Sequence, residues 1–314
     1  MTILTLSPAV AQALRQNRPV VALESTIITH GMPWPQNLDI ARRIEAVVRE
    51  NGAEPATVAV IDGTLHVGLE DAQIEALAQA RHVAKLSRAD LAVCMAAGRT
   101  GATTVAATMI AAASAGIEVF ATGGIGGVHR GAEQSFDVSA DLQELSQSPV
   151  TVVAAGAKAI LDLPKTLEVL ETLGVPVIAF GQDMLPAFWS RSAGLRAPLR
   201  MDDPAEIARA HRMRGRLDLP GGQLVANPIP AEAEIPRAEM LPVIGRAMQD
   251  AEDHGISGKD LTPYLLQRIF ELTEGRSLDA NVALVLNNAA LGARIAAEMV
   301  SLPGGAATRA GTPL

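Results

Sequence analysis

One stretch of the chain, residues 120–160, concentrates the residue types that could do chemistry. It holds six glycines together with His129, Asp137, Asp141 and Lys158. Glycine allows backbone N–H groups to approach a ligand closely, while imidazole, carboxylate and amine groups can transfer protons, bind cations or form covalent bonds. We therefore expect the functional site to be built around this stretch.

Lys158 follows the apolar run VTVVAAGA and precedes Ile160 and Leu161, so its amine emerges from apolar surroundings. Such surroundings favour the neutral amine, which is the form that attacks a carbonyl carbon to make a Schiff base. The alternative is a lysine in the first turn of a helix, whose flexible stem carries the charge out to solvent.

Glu24 ends the apolar run PVVAL and is followed by Thr26 and His30. Burying a carboxylate costs free energy unless its charge is paired. Glu24 therefore either holds a cation or donates and accepts protons in a reaction. The alternative is a buried carboxylate whose oxygens accept backbone N–H groups.

The segment TGGIGGVHRG, residues 122–131, is rich in glycine but does not match a dinucleotide-binding fingerprint. Counted from Gly124, the third glycine of GxGxxG would fall on His129, and the chain contains no GxxxxGK[ST] sequence. The glycines indicate either backbone N–H groups that approach an anion or a loop that brings His129 into a pocket. A plain tight turn is the alternative.

Two aspartates of this stretch could bind a metal ion. Asp137 and Asp141 are separated by VSA, so they share one side if the segment is helical. Carboxylate oxygens suit Mg²⁺ or Mn²⁺, and few protein ligands are needed when water completes the coordination. The alternative is a pair of acidic residues that stabilises the start of a helix.

A further corner of the chain could bind an anion. Lys85 and Arg88 in HVAKLSRAD precede TGATTVAA, where Thr103 or Thr104 could begin a helix whose N-terminus faces a phosphate. Solvated surface charge explains the two cations equally well. Asn281, near the start of a long apolar helix, either reaches the site or caps that helix.

Short apolar runs that alternate with segments of helical period predict the elements that must position these side chains. The predicted strands are PVVALEST, ATVAVI, LAVCMA, IEVFAT, VTVVAAG and VPVIAF. The predicted helices between them are residues 38–50, 70–79, 104–115 and 165–173. After Pro186 the pattern is mostly helical, at residues 204–213, 237–254, 258–274 and 278–299. This order favours an α/β fold: a three-layer α/β/α sandwich with a mainly parallel central sheet and a helical C-terminal part. Ligands of such sheets collect beyond the carboxyl ends of the strands, where Glu24 and Lys158 lie.

The composition excludes several classes of protein. With 48% hydrophobic residues the chain can form a large core, and a net charge of −8 without a Lys/Arg run argues against a nucleic-acid partner. The single cysteine, Cys94, is expected to be a buried thiol. There is no basic, then apolar, N-terminal leader and no glycine-free apolar stretch of about 18 residues, so we expect a soluble cytoplasmic protein with no membrane partner.

Several longer segments carry these candidate residues: VVALESTIITHGMPWPQN, KLSRADL, GATTVAATM, VFATGGIGGVHRGAEQSFDVSADLQEL, VTVVAAGAKAILDL, TLEVLETLGVPV and VANPIP. They closely resemble the pseudouridine-5′-phosphate glycosidase family, also described as the indigoidine synthase A-like family. With the helix that carries Asn281, the resemblance extends from about Pro19 to Asn288, which is nearly the whole chain.

The resemblance implies reversible cleavage of the C–C glycosidic bond of pseudouridine 5′-phosphate, which yields uracil and ribose 5-phosphate. It implies that Lys158 forms a Schiff base with the ring-opened ribose and that Glu24 is the proton donor and acceptor. Substrate-binding or pocket-lining positions are implied at Lys85, Val105, His129, Ser139, Ala140, Asp141 and Asn281. We further expect Lys85 and nearby backbone N–H groups to bind the phosphate.

The resemblance also implies one divalent ion per subunit, usually Mn²⁺ with Mg²⁺ or another divalent ion as a substitute, held by Asp137. It implies a homotrimer whose only other partners are the small-molecule substrate and products. We expect residues 1–303 to form a single α/β domain and residues 304–314 to be a flexible tail.

Two other functions could use the same residues. A Schiff-base aldolase acting on a sugar phosphate would need the lysine and the carboxylate but no nucleobase. A non-catalytic metabolite-binding protein would keep the pocket without turnover.

Overall fold

A computed structural model of the chain describes residues 3–256, 258 and 261–302. In this part, helices flank a mostly parallel β-sheet, which confirms the expected α/β/α class. The predicted tail, residues 304–314, lies outside the described residues, and the single domain over residues 1–303 stays a prediction.

The sheet is built from short apolar strands. They are β1 Leu4–Leu6, β2 Val20–Leu23, β3 Glu54–Ile61, β4 Thr64–Val67, β5 Ala84–Leu86, β6 Gly101–Thr103, β7 Val119–Ala121, β8 Thr151–Ala154, β9 Val177–Phe180, β10 Leu199–Met201 and β11 Gln223–Ala226. Strands β3-β2-β7-β8-β11-β9-β10 lie side by side in this order, each parallel to the next. Their carboxyl ends therefore share one edge.

The helices are α1 Pro8–Arg15, α2 Thr26–Thr29, α3 Gln36–Glu50, α4 Asp71–Gln79, α5 Arg88–Ala96, α6 Val105–Ala115, α7 Ala132–Ser135, α8 Ala140–Leu145, α9 Leu163–Thr172, α10 Pro204–Arg216, α11 Arg237–Asp253, α12 Leu261–Leu272 and α13 Arg276–Ser301. Several begin at side chains that accept backbone N–H groups. Ser7 caps α1, Asp162 caps α9 and Asp203 caps α10. Such caps satisfy N–H groups that have no partner within the helix.

Strand β3 belongs to two differently oriented parts of the sheet. Its first half pairs in parallel with β2, whereas its second half pairs antiparallel with β4 and β6. A tight turn at Asp62 and Gly63, both with positive φ, reverses the chain from β3 into β4. Strand β6 runs opposite to β3, and β5 is parallel to β6. The carboxyl ends of β5 and β6 are therefore directed toward the carboxyl end of β2, which pairs with the first half of β3. Thr103, which ends β6, donates its N–H to the hydroxyl of Ser25 at 2.9 Å.

The long helix α13 packs against β2, β7 and β8, with α3 and α10 beside it, while α6 packs against β2 and β7 together with α5 and α8. Gly292 allows a close approach, since a Cβ built there would lie 3.2 Å from the Cβ of Ala121. By length and composition α13 could cross a membrane, but 56% of its apolar window is buried within the protein. That burial is typical of a core helix.

A charged cluster ties α10 and α13 to the start of β7. Arg212 of α10 binds both carboxylate oxygens of Glu118, and its Nη2 also donates to the carbonyl oxygen of Met299 at 2.9 Å. His211 lies 3.7 Å from the same carboxylate. This cluster lies at the edge of the sheet opposite the carboxyl ends of the parallel strands.

Two predictions about individual elements need correction. LAVCMA is not a strand but lies in α5, because Ser87 and Asp90 form a reciprocal capping box that starts a helix there. Cys94 is buried, as expected, on the inner face of this helix. The run GGQLVANPIP, treated only as an interruption between helices, contributes β11, a fully buried strand between β8 and β9.

Candidate active site

Three neighbouring parallel strands bring Glu24, Thr122 and Lys158 to one edge of the sheet. Leu23 of β2 pairs with Ala121 of β7, which in turn pairs with Val153 of β8, so the residues after these strands are neighbours. This arrangement confirms that the carboxyl ends of the strands gather the candidate residues.

The carboxylate of Glu24 is held by hydroxyl groups. Thr26 Oγ1 donates to Oε2 and Thr122 Oγ1 donates to Oε1. The alternative, a carboxylate satisfied by backbone N–H groups, is not what these hydrogen bonds show. Each oxygen keeps a further lone pair, so a half-buried Glu24 can still exchange a proton with a ligand.

Beyond the strands, the glycine segment and the Lys158 loop continue the parallel pairing. Ile125 N–H donates to the carbonyl oxygen of Gly156, and Lys158 N–H donates to that of Ile125, both at 3.1 Å. The backbone of Lys158 is therefore fixed, while its side chain remains half-buried. Because α9 begins only at Leu163, the interpretation of Lys158 as a residue in the first turn of a helix is wrong.

The other side of the glycine segment is hydrogen-bonded to the chain that carries Asp137. Ser139 N–H donates to the carbonyl oxygen of Gly127, and His129 N–H donates to that of Asp137, both at 3.0 Å. A Cβ at Gly126 would collide with Ser139 Oγ and lie 2.8 Å from Asp141 Oδ2. The segment is therefore an extended, close-packed ribbon and not a plain tight turn.

The electrostatics of His129 reveal which charged groups lie around it. Burial lowers the pKa of its imidazole, the charge of Asp137 raises it, and the positive charges of Lys158 and Lys85 lower it further. Partial burial and the charge of Lys85 likewise lower the pKa of His30. The charges of Lys85, Lys158 and Asp137 thus all act on His129. In a protein of net charge −8, two lysines whose positive charges act on the same histidine suit an anionic ligand.

Asp137 is the residue expected to hold a metal ion. Its side chain is 40% exposed, and its Oδ2 lies 3.9 Å from His129 Nδ1. In the part of the chain that the structure describes, no group of three or more His, Cys, Asp or Glu side chains is arranged to hold a metal. One carboxylate beside a solvent-accessible space fits a hard ion such as Mn²⁺ or Mg²⁺ whose other ligands are water or substrate oxygens.

Asp141 does not share a helix face with Asp137, because Asp137 precedes α8 and the condition of a helical segment is not met. Asp141 is 6% exposed, and its oxygens accept N–H groups from Ala106 at 2.9 Å and Gly126 at 2.8 Å. It therefore joins the glycine segment to the first turn of α6. Direct substrate contact by Asp141 stays a prediction.

The other predicted substrate-binding residues of this region cluster at helix starts. Val105 is the first residue of α6, which follows Thr104 as expected from the sequence. Ser139 caps α8 by accepting the N–H of Asp141, and Ala140 is the first residue of α8. Both helix starts adjoin the glycine segment, where backbone N–H groups concentrate.

Lys85 lies half-buried in β5, paired in register with Ala102 of β6. Arg88, one turn further, forms an ion pair with Glu144, a carboxylate that is 1% exposed. Arg88 is therefore not simply a solvated surface charge. Although its side chain is 49% exposed, Arg88 neutralises a buried carboxylate between α5 and α8. Binding of a ligand by Lys85 stays a prediction.

Asn281 lies in the second turn of α13, which begins at Arg276 after Gly275, so the interpretation of Asn281 as a helix cap is wrong. Its Oδ1 is buried and has no hydrogen-bond partner among the described residues. Asn288 lies two turns further on the same face of α13 and donates to the carbonyl oxygen of Thr122. An unpartnered oxygen on that face can accept a hydrogen bond from a ligand.

Sequence reasoning missed the hydrogen-bonding roles of Thr122, Asn227 and Asn288. A signal for Asn288 was present, because an asparagine within the apolar face of a core helix is expensive to bury without partners. Its partners are 61 and 166 residues away along the chain, and nothing local identifies them.

A small cleft adjoins Glu24 on the side of the core. Its walls include Leu23, Ile28, Thr122 and Val285. The cleft places apolar groups next to a carboxylate that is held by two hydroxyls.

Comparison with known proteins gives consistent matches along the chain. A family model described as "Indigoidine synthase A like protein" matches residues 9–298. The chain is 73% identical over 301 residues to the pseudouridine-5′-phosphate glycosidase of Paracoccus denitrificans, covering 95% of this chain and 99% of the relative. It is 69% identical over 295 residues to that of Roseobacter denitrificans, covering 94% and 95%.

Two solved structures have the same fold. The crystal structure of the prealnumycin C-glycosynthase AlnA in complex with ribulose 5-phosphate superposes with a TM-score of 0.89 at 38% identity, covering 96% of this chain and 98% of that chain. An indigoidine synthase A (IdgA)-like protein from Thermotoga maritima superposes with a TM-score of 0.86 at 33% identity, covering 95% and 97%.

Proposed function

The chain belongs to the indigoidine synthase A-like family, and from that premise we propose that it reversibly cleaves the C–C glycosidic bond of pseudouridine 5′-phosphate to uracil and ribose 5-phosphate. Relatives of 73% and 69% identity bear the name of this activity. The structural observation that carries the proposal is that β2, β7 and β8, whose carboxyl ends lead to Glu24 and Lys158, are neighbouring parallel strands. Glu24 lies at the end of a nearby strand of the same sheet.

The chemistry of the bond explains why a lysine is needed. N- and O-glycosides can leave through an oxocarbenium ion with the help of carboxylates, whereas carbon C5 of uracil is a poor leaving group until it is protonated. A nitrogen attached to C1′ can accept the developing positive charge as an iminium. Lys158, fixed by the glycine segment and half-buried, is suited to that role.

In the proposed reaction, the Lys158 nitrogen bonds to C1′ as the C1′–O4′ bond opens and the ring oxygen becomes a hydroxyl. Glu24 delivers a proton to C5 of uracil. The C1′–C5 bond then breaks: its electron pair re-forms the C5=C6 double bond, and the nitrogen lone pair forms the C1′=N iminium. Water hydrolyses the iminium, so substrate and one water give uracil and ribose 5-phosphate.

Lys85 is the proposed phosphate ligand, because a cation together with oriented N–H groups satisfies a dianion. The start of α6 adjoins the glycine segment through Asp141, so backbone N–H groups are available nearby. A Lys85→Ala variant should lose affinity for ribose 5-phosphate. Unchanged affinity, measured by calorimetry, would show that the phosphate binds elsewhere.

We also propose that Asp137 holds Mn²⁺, or Mg²⁺ in its place. When bound there, the ion would act as a Lewis acid that polarises a substrate oxygen. We further propose that the protein acts in the cytoplasm as a homotrimer. Light scattering on the purified protein at several concentrations measures its mass; a monomer or dimer would contradict the trimer.

Uracil release tests the proposed function directly. The protein is incubated with pseudouridine 5′-phosphate and Mn²⁺, and uracil is measured by liquid chromatography. The wild-type protein should release uracil, Lys158→Ala should release none, and Lys165→Ala, which changes an exposed lysine paired with Glu133, should behave as wild type. An aldolase would cleave the sugar without freeing uracil.

Borohydride trapping tests the covalent step separately. With ribose 5-phosphate present, reduction should fix the sugar phosphate on Lys158 as a stable secondary amine. The chain contains only four lysines, so peptide mass mapping assigns the adduct without ambiguity. An adduct on another lysine, or turnover by Lys158→Ala, would contradict the mechanism.

A further inference from the structure

Two buried asparagines from distant parts of the chain meet below the glycine segment. Asn227 follows β11, and Asn288 lies in α13; they are 4% and 0% exposed. Asn227 Nδ2 donates to Asn288 Oδ1 at 3.0 Å. This hydrogen bond fixes the orientation of the Asn288 amide, so its Nδ2 is directed away from Asn227.

The free end of the Asn288 amide binds the glycine segment. Asn288 Nδ2 donates to the carbonyl oxygen of Thr122 at 2.8 Å and lies 3.4 Å from that of Gly123. Thr122 is 1% exposed, and its hydroxyl donates to Glu24. Asn227 is therefore connected to the Glu24 carboxylate by three hydrogen bonds in series. The last two are joined through Thr122, whose carbonyl oxygen accepts from Asn288 and whose hydroxyl donates to Glu24.

The close packing of α13 against β7 fixes the position of the hydrogen bond between Asn288 and Thr122. Gly292, one turn after Asn288, lets the helix approach the strands so closely that an added Cβ would lie 3.2 Å from the Cβ of Ala121. Ala121 directly precedes Thr122. The helix thus contacts β7 at the residue next to the one that Asn288 binds.

We propose that Asn288, oriented by Asn227, is a positioning residue for the reaction: it fixes Thr122, and through the Thr122 hydroxyl it fixes Glu24. This inference rests on the proposed function. Proton transfer requires the donor to lie within hydrogen-bonding distance of the reacting atom. A Glu24 side chain held on one side by Thr26 alone would sample other rotamers, so the proton would be delivered less often.

The test compares variants that break the chain of contacts at different points. Thr122→Val keeps the shape of the side chain but removes the hydroxyl, Thr122→Ser keeps the hydroxyl, and Asn288→Ala removes the amide. Asn287→Ala is the matched control, because Asn287 is the adjacent residue of α13 and its amide donates to Pro228 at 3.0 Å instead. Steady-state uracil release gives kcat and KM for each protein.

We expect Thr122→Val and Asn288→Ala to lower kcat on the order of 100-fold, the cost of a misplaced reacting group, with KM for pseudouridine 5′-phosphate unchanged. Thr122→Ser should restore most of the turnover, and Asn287→Ala should match wild type. Because both residues act through one contact, the double variant should be no slower than Thr122→Val alone.

Several outcomes overturn the inference. Wild-type kcat in Thr122→Val removes the role of the hydroxyl, and loss of kcat in Thr122→Ser equal to that in Thr122→Val shows a packing effect. Additive losses in the double variant show that Asn288 does not act through Thr122. If Asn288→Ala does not fold, the two Thr122 variants still test whether the Thr122 hydroxyl positions Glu24. A wild-type protein that releases no uracil overturns the proposed function itself, which distinguishes the two failures.

Discussion

The carboxylate of Asp141 accepts the backbone N–H of Gly126 at 2.8 Å through one oxygen, while the other oxygen accepts the N–H of Ala106 at 2.9 Å. One side chain therefore joins the glycine segment to the start of α6. Both ends of this link adjoin predicted substrate-binding residues, so the shape of the site depends on a residue whose carboxylate is already occupied.

Replacing Asp141 by asparagine should destabilise the protein. The amide keeps one acceptor oxygen, but its NH₂ group would face a backbone N–H, which leaves a buried donor without a partner. We expect a loss of about 1–3 kcal/mol in the free energy of unfolding, measured by urea denaturation. Asp39→Asn, an exposed aspartate of α3, is the control and should change stability by less than about 0.5 kcal/mol. Equal stability of both variants would contradict the linking role.

Gly126 should not tolerate alanine, whereas Gly123 should. A Cβ at Gly126 would meet Ser139 and Asp141, but the nearest atom to a Cβ at Gly123 is Leu284 Cδ1 at 3.5 Å, an ordinary contact. We expect Gly126→Ala to lose about 1–3 kcal/mol through overpacking. Thermal unfolding of the two variants side by side measures the difference, and equal melting temperatures would rule out the close packing.

Asp137→Asn should weaken Mn²⁺ binding about tenfold or more, because the metal would lose its charged protein ligand. The measurement is the electron paramagnetic resonance signal of free Mn²⁺ during titration of the protein, which does not depend on turnover. Asp183→Asn, at an exposed aspartate paired with Arg200, is the control and should bind Mn²⁺ as wild type does. Unchanged affinity in Asp137→Asn would place the ion elsewhere.

The Glu118 carboxylate should make the free energy of unfolding depend on pH in the acidic range. Burial alone would raise the pKa of its carboxyl, but the nearby His211 and the hydrogen-bonded guanidinium of Arg212 lower it to about 2. Since this pKa lies below the ordinary value of 4.5, the stabilisation is fully present above about pH 4.5 and is lost as the pH falls toward 2.

Glu118→Gln should therefore lose on the order of 2 kcal/mol at pH 7 relative to wild type, allowing for a side chain that is 29% exposed. The difference should shrink between pH 4.5 and pH 2, as followed by urea denaturation at a series of pH values. Glu50→Gln, an exposed residue at the end of α3, controls for the loss of one carboxylate. A difference that stays constant with pH would contradict the role of the Glu118 charge.

Local patterns in the sequence were sufficient for the parallel strands that position the candidate residues, but not for β11. Apolar runs followed by glycine or an ionisable residue predicted β2, β7 and β8, and hence the positions of Glu24 and Lys158, because a parallel sheet presents its strand ends together. The polar residues after each run were informative since a buried strand has no other place for them.

The reversal of direction at β3 was missed although a signal was present. Asp62 and Gly63 both have positive φ, and the pair Asp-Gly between apolar runs is a strong hairpin signal. In contrast, LAVCMA reads as a strand by composition, and only the capping box of Ser87 and Asp90 favours a helix. Contacts such as Asn288 to Thr122 depend on how the finished helix lies on the sheet, so no local pattern predicts them.

The bend of β3 between its two sets of partners has a consequence for the range of sugars that the site can accept. Lys85 lies in β5, which is joined to β3 through the antiparallel strand β6, and Lys158 follows β8, which lies on the parallel side of β3, so the bend of β3 contributes to the span between the two amines. If these amines bind the phosphate and C1′, the distance between them limits the length of the carbon chain that a sugar phosphate can have. We expect acceptance of shorter or longer sugar phosphates to be tuned through substitutions around Thr57 and Val58.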